Sequence, residues 1–170
     1  MPCCMSRRGG DAVRGGGDSA MTDSVRIFIS FAEQDEFARD ELIEEAIQSG
    51  TRCVFTEMVG KDSRNPEWRA KCRSEVRSCD GVIAFISRHT PEAGDACWAI
   101  GCAREAGVPI RGFWVHHDET RGKPFELGDT PVVYWSWDNI VSFIHSLGFK
   151  PRSAETSGLV EMNSARKQIA

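Results

Sequence analysis

The sequence predicts an α/β domain built on a parallel sheet with helices on both faces, and three observations carry that prediction. Strand-like and helix-like segments alternate from about Val25 to about Leu147. The first of them, Val25 to Phe31 (VRIFISF), is β-branched and aromatic. The run Gly81 to Ser87 (GVIAFIS) is apolar throughout, as expected of a strand covered on both faces.

The elements follow in order. After the first strand, Asp35 to Gln48 reads as a helix. Phe37, Ala38, Leu42, Ala46 and Ile47 share one of its faces, acids fill the other, and Ser49-Gly50 ends it. Arg52 to Thr56 is a short second strand, and Glu57 to Arg64 a polar loop. Asn65-Pro66 has the form of an N-cap followed by Pro at the first helical position, and opens a helix to about Ser78 that buries Trp68, Cys72 and Val76. Gly81 to Ser87 is the third strand. A helix covers Asp95 to Ala106, Pro109 to Val115 is a fourth strand, and His116 to Thr130 a loop. Val132 to Trp135 is a fifth strand, and Trp137 to Leu147 a closing helix.

Five strands with helical crossovers fit the flavodoxin-like order 2-1-3-4-5. That order fixes where a ligand goes, because the crevice opens at the C-terminal ends of strands 1 and 3, where the winding reverses. The residues predicted there are Ser30, Phe31, Ala32, Glu33, Gln34 and Asp35 after strand 1, and Ser87, Arg88, His89, Thr90 and Pro91 after strand 3. The first turn of the next helix, Asp95 to Ala99, borders the same crevice.

Residues 1–24 are rich in Gly, Arg, Ser and Asp and read as a disordered tail; residues 148–170 read as a loose C-terminal tail in which Leu159 to Ile169 forms at most a marginal helix. The domain is expected over residues 25–147, and Met21 competes with Met1 as the start. The 170 residues, 41% hydrophobic and 27% charged, suit one domain with one core. A net charge of -4 does not favour nucleic acid as a partner. No apolar run approaches the ~20 residues that span a bilayer, nor does the N-terminus carry a signal-peptide core, so a cytoplasmic protein without membrane contact is expected. The seven cysteines include no Cys-x-x-Cys pair; five lie in apolar or helical segments, as reduced cysteines do, and Cys3 and Cys4 read as tail thiols rather than a lipidation site.

The strand-1 loop sets an aromatic ring beside hydroxyl and acidic groups, a mixture that suits a nucleobase or ribose; Asp35 there also reads as a helix N-cap. Arg69, Arg73 and Arg77 recur every four residues and read as a solvated helix face. His116 and His117 are adjacent and lack metal-ligand spacing, so no metal is expected. His89 sits at the crevice, within reach of a phosphate or carboxamide, and also reads as a surface loop histidine. There is no Walker-type loop, and the glycines at 9, 10, 15, 16 and 17 precede any strand.

The segment RIFISFAEQD resembles the opening of a TIR domain. NPEWRAKCRSEVRSCDGVIAFISRHT, CWAIGCAREAGVPI and VVYWSWDNI, in that order, resemble the TIR-like domains of bacterial Thoeris antiphage systems over residues 25 to 147. The resemblance implies a flavodoxin-like domain that consumes NAD+ as substrate, without a cofactor or metal. It implies release of nicotinamide and a cyclic ADP-ribose-type messenger that reaches a separate effector. It further implies a glutamate on the helix after strand 3, which engages the nicotinamide-bearing ribose and stabilises the oxocarbenium-like state. The family pattern Trp-Glu-Ile, with Ala four residues past the Glu and then Gly-x-Pro, falls here on Trp98-Ala99-Ile100, Ala103 and Gly107-Val108-Pro109. The expected glutamate is therefore Ala99. Three explanations stand: an altered position, a naturally non-catalytic module, or a substitute acid. Asp95, four residues earlier on the same helix face, is the best-placed substitute, although it also reads as an ordinary first-turn charge. Glu92 lies in the loop, and Glu105 is rotated away. With Ala96, Ile100 and Ala103, Ala99 also makes a small-residue packing face.

Two other functions compete. One is a non-enzymatic TIR-like module that binds nucleotide or assembles with other TIR domains. The other is a nucleoside deoxyribosyltransferase-like enzyme, which equally needs a carboxylate in the crevice. A response-regulator receiver lacks its acceptor Asp, since strand 3 ends Phe85-Ile86-Ser87. A flavodoxin would need a Ser/Thr/Gly-rich phosphate cradle after strand 1.

Overall fold

A computed structural model describes residues 24–148 apart from 59, 61 and 119. Residues 1–23 and 149–170, which hold all but one residue of each expected tail and the marginal helix expected at Leu159 to Ile169, lie outside the described residues. The five strands are β1 (Val25–Ser30), β2 (Cys53–Thr56), β3 (Gly81–Ile86), β4 (Ile110–Trp114) and β5 (Val132–Tyr134). They form one sheet of order β2-β1-β3-β4-β5, and every neighbouring pair is parallel. The flavodoxin-like fold expected from the sequence is therefore present. The helices are α1 (Glu36–Gln48), α2 (Pro66–Arg77), α3 (Gly94–Ala106) and α4 (Trp137–Ser146).

Alternation along the strands sorts the core into two faces. Ile27 and Ile29 of β1, Ile83 and Phe85 of β3 and Phe113 of β4 meet Ala38, Leu42 and Ala46 of α1 and Ile140, Phe143 and Ile144 of α4. On the other face Phe28 and Val82 meet Cys72 and Val76 of α2 and Ala99, Cys102 and Ala103 of α3, while Ala84, Ile86 and Trp114 meet Ile100. β3 is buried at every residue, as its unbroken apolar run requires.

Helix ends follow the local chemistry. Asn65 caps α2 by accepting from the backbone N–H of Glu67 and Trp68, with Pro66 in the first turn. Gly107, at φ 69°, ends α3 in the left-handed conformation. Two expectations differ. Phe37 and Ile47 of α1 are half exposed, because the buried stripe is the narrower one through Ala38, Leu42 and Ala46. Residues 116–130 also contain a 3-10 turn, Phe125–Leu127, whose Leu127 is fully buried under α3.

Candidate functional site

β1 stops at Ser30, abreast of Ala84, while β3 runs on to Ile86. That stagger, with the diverging crossovers to α1 and α3, leaves a notch at the C-terminal end of β1 on the α2/α3 side. Phe28, Ile29, Ser30 and Phe31 form one wall, Glu57 and Met58 after β2 a second, Trp68 and Cys72 of α2 a third, and Asp95, Ala96 and Ala99 of α3 the fourth. The cavity volume of the notch is about 20 Å³. Small-molecule sites span roughly 300–1,000 Å³, so any nucleotide requires wall side chains to swing outward.

Of the residues predicted for the crevice, Ser30, Phe31, Asp95 and Ala99 converge here. Asp95 and Ala99 share a face one helical turn apart, as their spacing predicts. Ser30 is buried, and its Oγ donates to the carbonyl of Ala96 at 3.1 Å, which ties β1 to the first turn of α3.

Asp35, Ser87, His89 and Thr90 form a separate knot. Ser87 Oγ donates to Asp35 Oδ2 at 2.6 Å and accepts from the His89 N–H at 3.1 Å; Thr90 Oγ1 accepts from the Ser87 N–H at 2.8 Å. Asp35, Ser87 and Thr90 are buried. The Asp35 side chain makes no capping bond to α1, contrary to its N-cap reading, because Ser87 engages it. The β4–β5 loop lies over the same strand end: at Gly122, φ 97°, a Cβ would sit 2.2 Å from the Ser87 carbonyl oxygen. Trp98 turns toward α2. Its ring lies 4.4 Å from the Arg69 guanidinium and 5.3 Å from that of Arg73, and its Nε1 donates to the Arg69 carbonyl at 3.3 Å. Arg69 and Arg73 thus lie against an indole, while Arg69 and Arg77 remain exposed as a solvated face predicts.

Sequence reasoning missed Glu57, Met58, Trp68 and Cys72 as notch residues. The signal was the predicted strand order itself: β2 is the other neighbour of β1, so the chain leaving β2 must pass the same opening.

Arg39 stands beside two of the lining residues, Phe31 and Glu57. Its guanidinium pairs with Glu57 Oε1 at 2.6 Å and Asp40 Oδ1 at 2.8 Å, contacts Glu36, and lies 5.5 Å from the centre of the Phe31 ring. Burial, then Cys102, Asp95 and Glu75, push the Cys72 thiol up to about 12, so the thiol of the notch stays protonated at neutral pH and offers no nucleophilic thiolate. The indole Nε1–H of Trp68 is buried without a hydrogen-bond acceptor. Among the described residues no three His, Cys, Asp or Glu side chains group as metal ligands, and no helix is long and apolar enough to cross a membrane.

No family model matches this chain. No curated protein matches it either. Among solved structures, the glutaminase domain of Trypanosoma brucei CTPS with bound acivicin is similar at 23% identity and TM-score 0.38, over 53% of this chain and 36% of that one. This chain thus spans about a third of that structure's length. A prokaryotic SEFIR domain is similar at 12% identity and TM-score 0.49, over 73% of this chain and 96% of that one. Likenesses this loose identify neither family nor activity, and the fold rests on the strand order described above.

Proposed function

We propose that this is a TIR-like domain that binds an NAD-type nucleotide in the notch at the end of β1, and that alanine at position 99 deprives it of the carboxylate that cleavage needs. The observation that carries the reading is the position of Ala99. The residue standing where the resembled family places its glutamate lines the same notch as Ser30, Phe31 and Asp95. A glutamate there would set a carboxylate beside a bound ribose, where it would stabilise positive charge developing as nicotinamide departs. Phe28, Phe31, Met58 and Trp68 supply apolar surface that keeps water from the reacting centre. Asp95 lines the notch one turn earlier and is the substitute acid in a chain with residual activity.

The test is incubation with NAD+ and detection of free nicotinamide, alongside direct binding of NAD+. The proposal expects binding by the native chain, release near background, and release raised at least tenfold by Ala99→Glu. A messenger of the cyclic ADP-ribose type and a separate effector belong to the same reading, as do a cytoplasmic location and an antiphage role; the mass of the nucleotide product checks the first of these. The alanine also favours a second reading, a non-enzymatic module that binds nucleotide or assembles with other TIR domains. Binding without release from either form would select it, and absence of binding from both forms would defeat the nucleotide reading. Exchange of bases between deoxynucleosides would reveal a deoxyribosyltransferase-like enzyme instead.

A further inference from the structure

The outward side of α1 is an unpartnered face. At about 100° per residue, Phe37, Asp40, Glu41, Glu44 and Ile47 fall within roughly a third of the helix circumference, away from the buried Ala38, Leu42 and Ala46. Phe37 and Ile47 are 50% and 52% exposed, one toward each end of this stripe, and the acids lie between them. The exposed charges of α1 are Glu36, Asp40, Glu41 and Glu44, all acidic. Arg39, the one base of the helix, engages Glu36 and Asp40. Among the described residues no cation pairs with Glu41 or Glu44.

α2 carries the opposite sign. Its exposed charges are Arg69, Lys71 and Arg77, against Glu67 alone. Among the described residues no carboxylate pairs with Lys71 or Arg77. Around the helix, the exposed Ala70 and Ser74 lie between those two bases, and their short side chains leave room for an approaching helix. The two helices cover opposite faces of the sheet, α1 on the side of Ile27 and Ile29, α2 on the side of Phe28 and Val82. One chain therefore cannot bring its own acidic and basic faces together, whereas two chains can.

We propose that the outward face of α1 docks on the outward face of α2 of a second copy of this chain. Glu41 and Glu44 meet Lys71 and Arg77, while Phe37 and Ile47 cover Ala70 and the aliphatic stems of the basic side chains. Because the two faces differ, the contact is head-to-tail, and each added copy leaves one acidic and one basic face open to the next. Exposed ion pairs are individually weak and screened by salt, so the association is weak and salt-sensitive. The inference rests on the second reading above, assembly with like domains, and adds the two surfaces; it does not depend on nucleotide.

The test is sedimentation velocity of the full chain at about 20 mM and about 500 mM salt, where screening differs most. The native chain should gain mass with concentration at low salt and return to monomer at high salt. Glu41→Lys/Glu44→Lys makes both faces basic, Lys71→Glu/Arg77→Glu makes both acidic, and each alone should associate at least tenfold more weakly than the native chain. An equimolar mixture of the two should recover the association. Asp129→Lys/Asp138→Lys, which changes the net charge equally but away from both faces, should not replace the α1 variant in that mixture. The native salt series needs no variant and carries the test if a reversed chain fails to fold. Native association that high salt or the reversals leave unchanged would place the contact elsewhere and overturn the inference while assembly survives. So would a mixture that stays monomeric, or one that the control variant restores equally. A native chain that is monomeric at every concentration and both salts would defeat the inference and the assembly reading together.

Discussion

Ser87 and Asp35 stand 52 residues apart in sequence, yet the Ser87 hydroxyl is the donor that meets a carboxylate only 1% exposed. Ser87→Ala should leave that carboxylate short of a partner and lower stability by about 1–3 kcal/mol. The urea midpoint reads the loss, and an unchanged midpoint would deny the bond its structural role. Ser78→Ala, which removes an exposed hydroxyl-to-carbonyl bond, should cost less than half as much. The same pair shows why local rules misplace a side chain. Asp ahead of an amphipathic helix satisfies the capping pattern, and nothing nearby in sequence reveals a distant serine as the preferred donor. Ala99, Asp95, Ser30 and Phe31 were legible because their place follows from strand order and helical spacing. Trp98 was not, since adjacency in sequence to Ala99 turns a helical side chain by about 100° toward a different neighbour.

Elements were legible where one residue type decides the outcome. Asn65-Pro66 marks the start of α2 unambiguously, and Asn65→Ala should lower stability by about 1 kcal/mol through loss of the cap, read as a fall in the thermal midpoint. The segment Phe125–Leu127 shows the opposite case. Both residues are large and apolar, but Phe125 is 93% exposed and Leu127 fully buried against α3. No pattern over so short a stretch tells which points inward, and the packing of α3 on the loop decides it. Leu127→Ala should therefore cost about 2–5 kcal/mol in chemical denaturation, and Phe125→Ala within about 0.5 kcal/mol of nothing. Equal costs would contradict the described packing. In α1 the apolar count overstated the core for a related reason: Phe37 and Ile47 flank the buried stripe, and the sheet covers only its centre.

For the whole molecule, the alternation of elements and the unbroken apolar run of β3 were enough to give the strand order, because right-handed crossovers leave few alternatives. The size of the notch was not legible, since it depends on how Met58 and Trp68 pack between layers. The core also carries a pH signature. Burial pushes the thiols of Cys53, Cys72 and Cys97 up to about 12 and that of Cys79 to about 11, from 9.0. Each binds its proton more tightly folded than unfolded, so the stabilisation is complete below pH ~9 and is lost as pH rises from there toward about 12. Stability should thus fall with alkalinity across that window, by up to about 1.4 kcal/mol per pH unit per buried thiol. Urea titrations at pH 8, 9 and 10 check the slope, and substituting Cys72 by Ser should reduce it.

The most direct test of the nucleotide site is a titration of the isotope-labelled chain with NAD+, followed by NMR. Binding in the notch predicts that shifts concentrate at Phe28 to Phe31, Met58, Trp68 and Asp95 to Ala99, with the far ends of the strands, at Val25 and Gly81, undisturbed. Saturable shifts centred elsewhere, for example around Tyr134 and His117, would contradict it, as would a spectrum that NAD+ leaves unchanged.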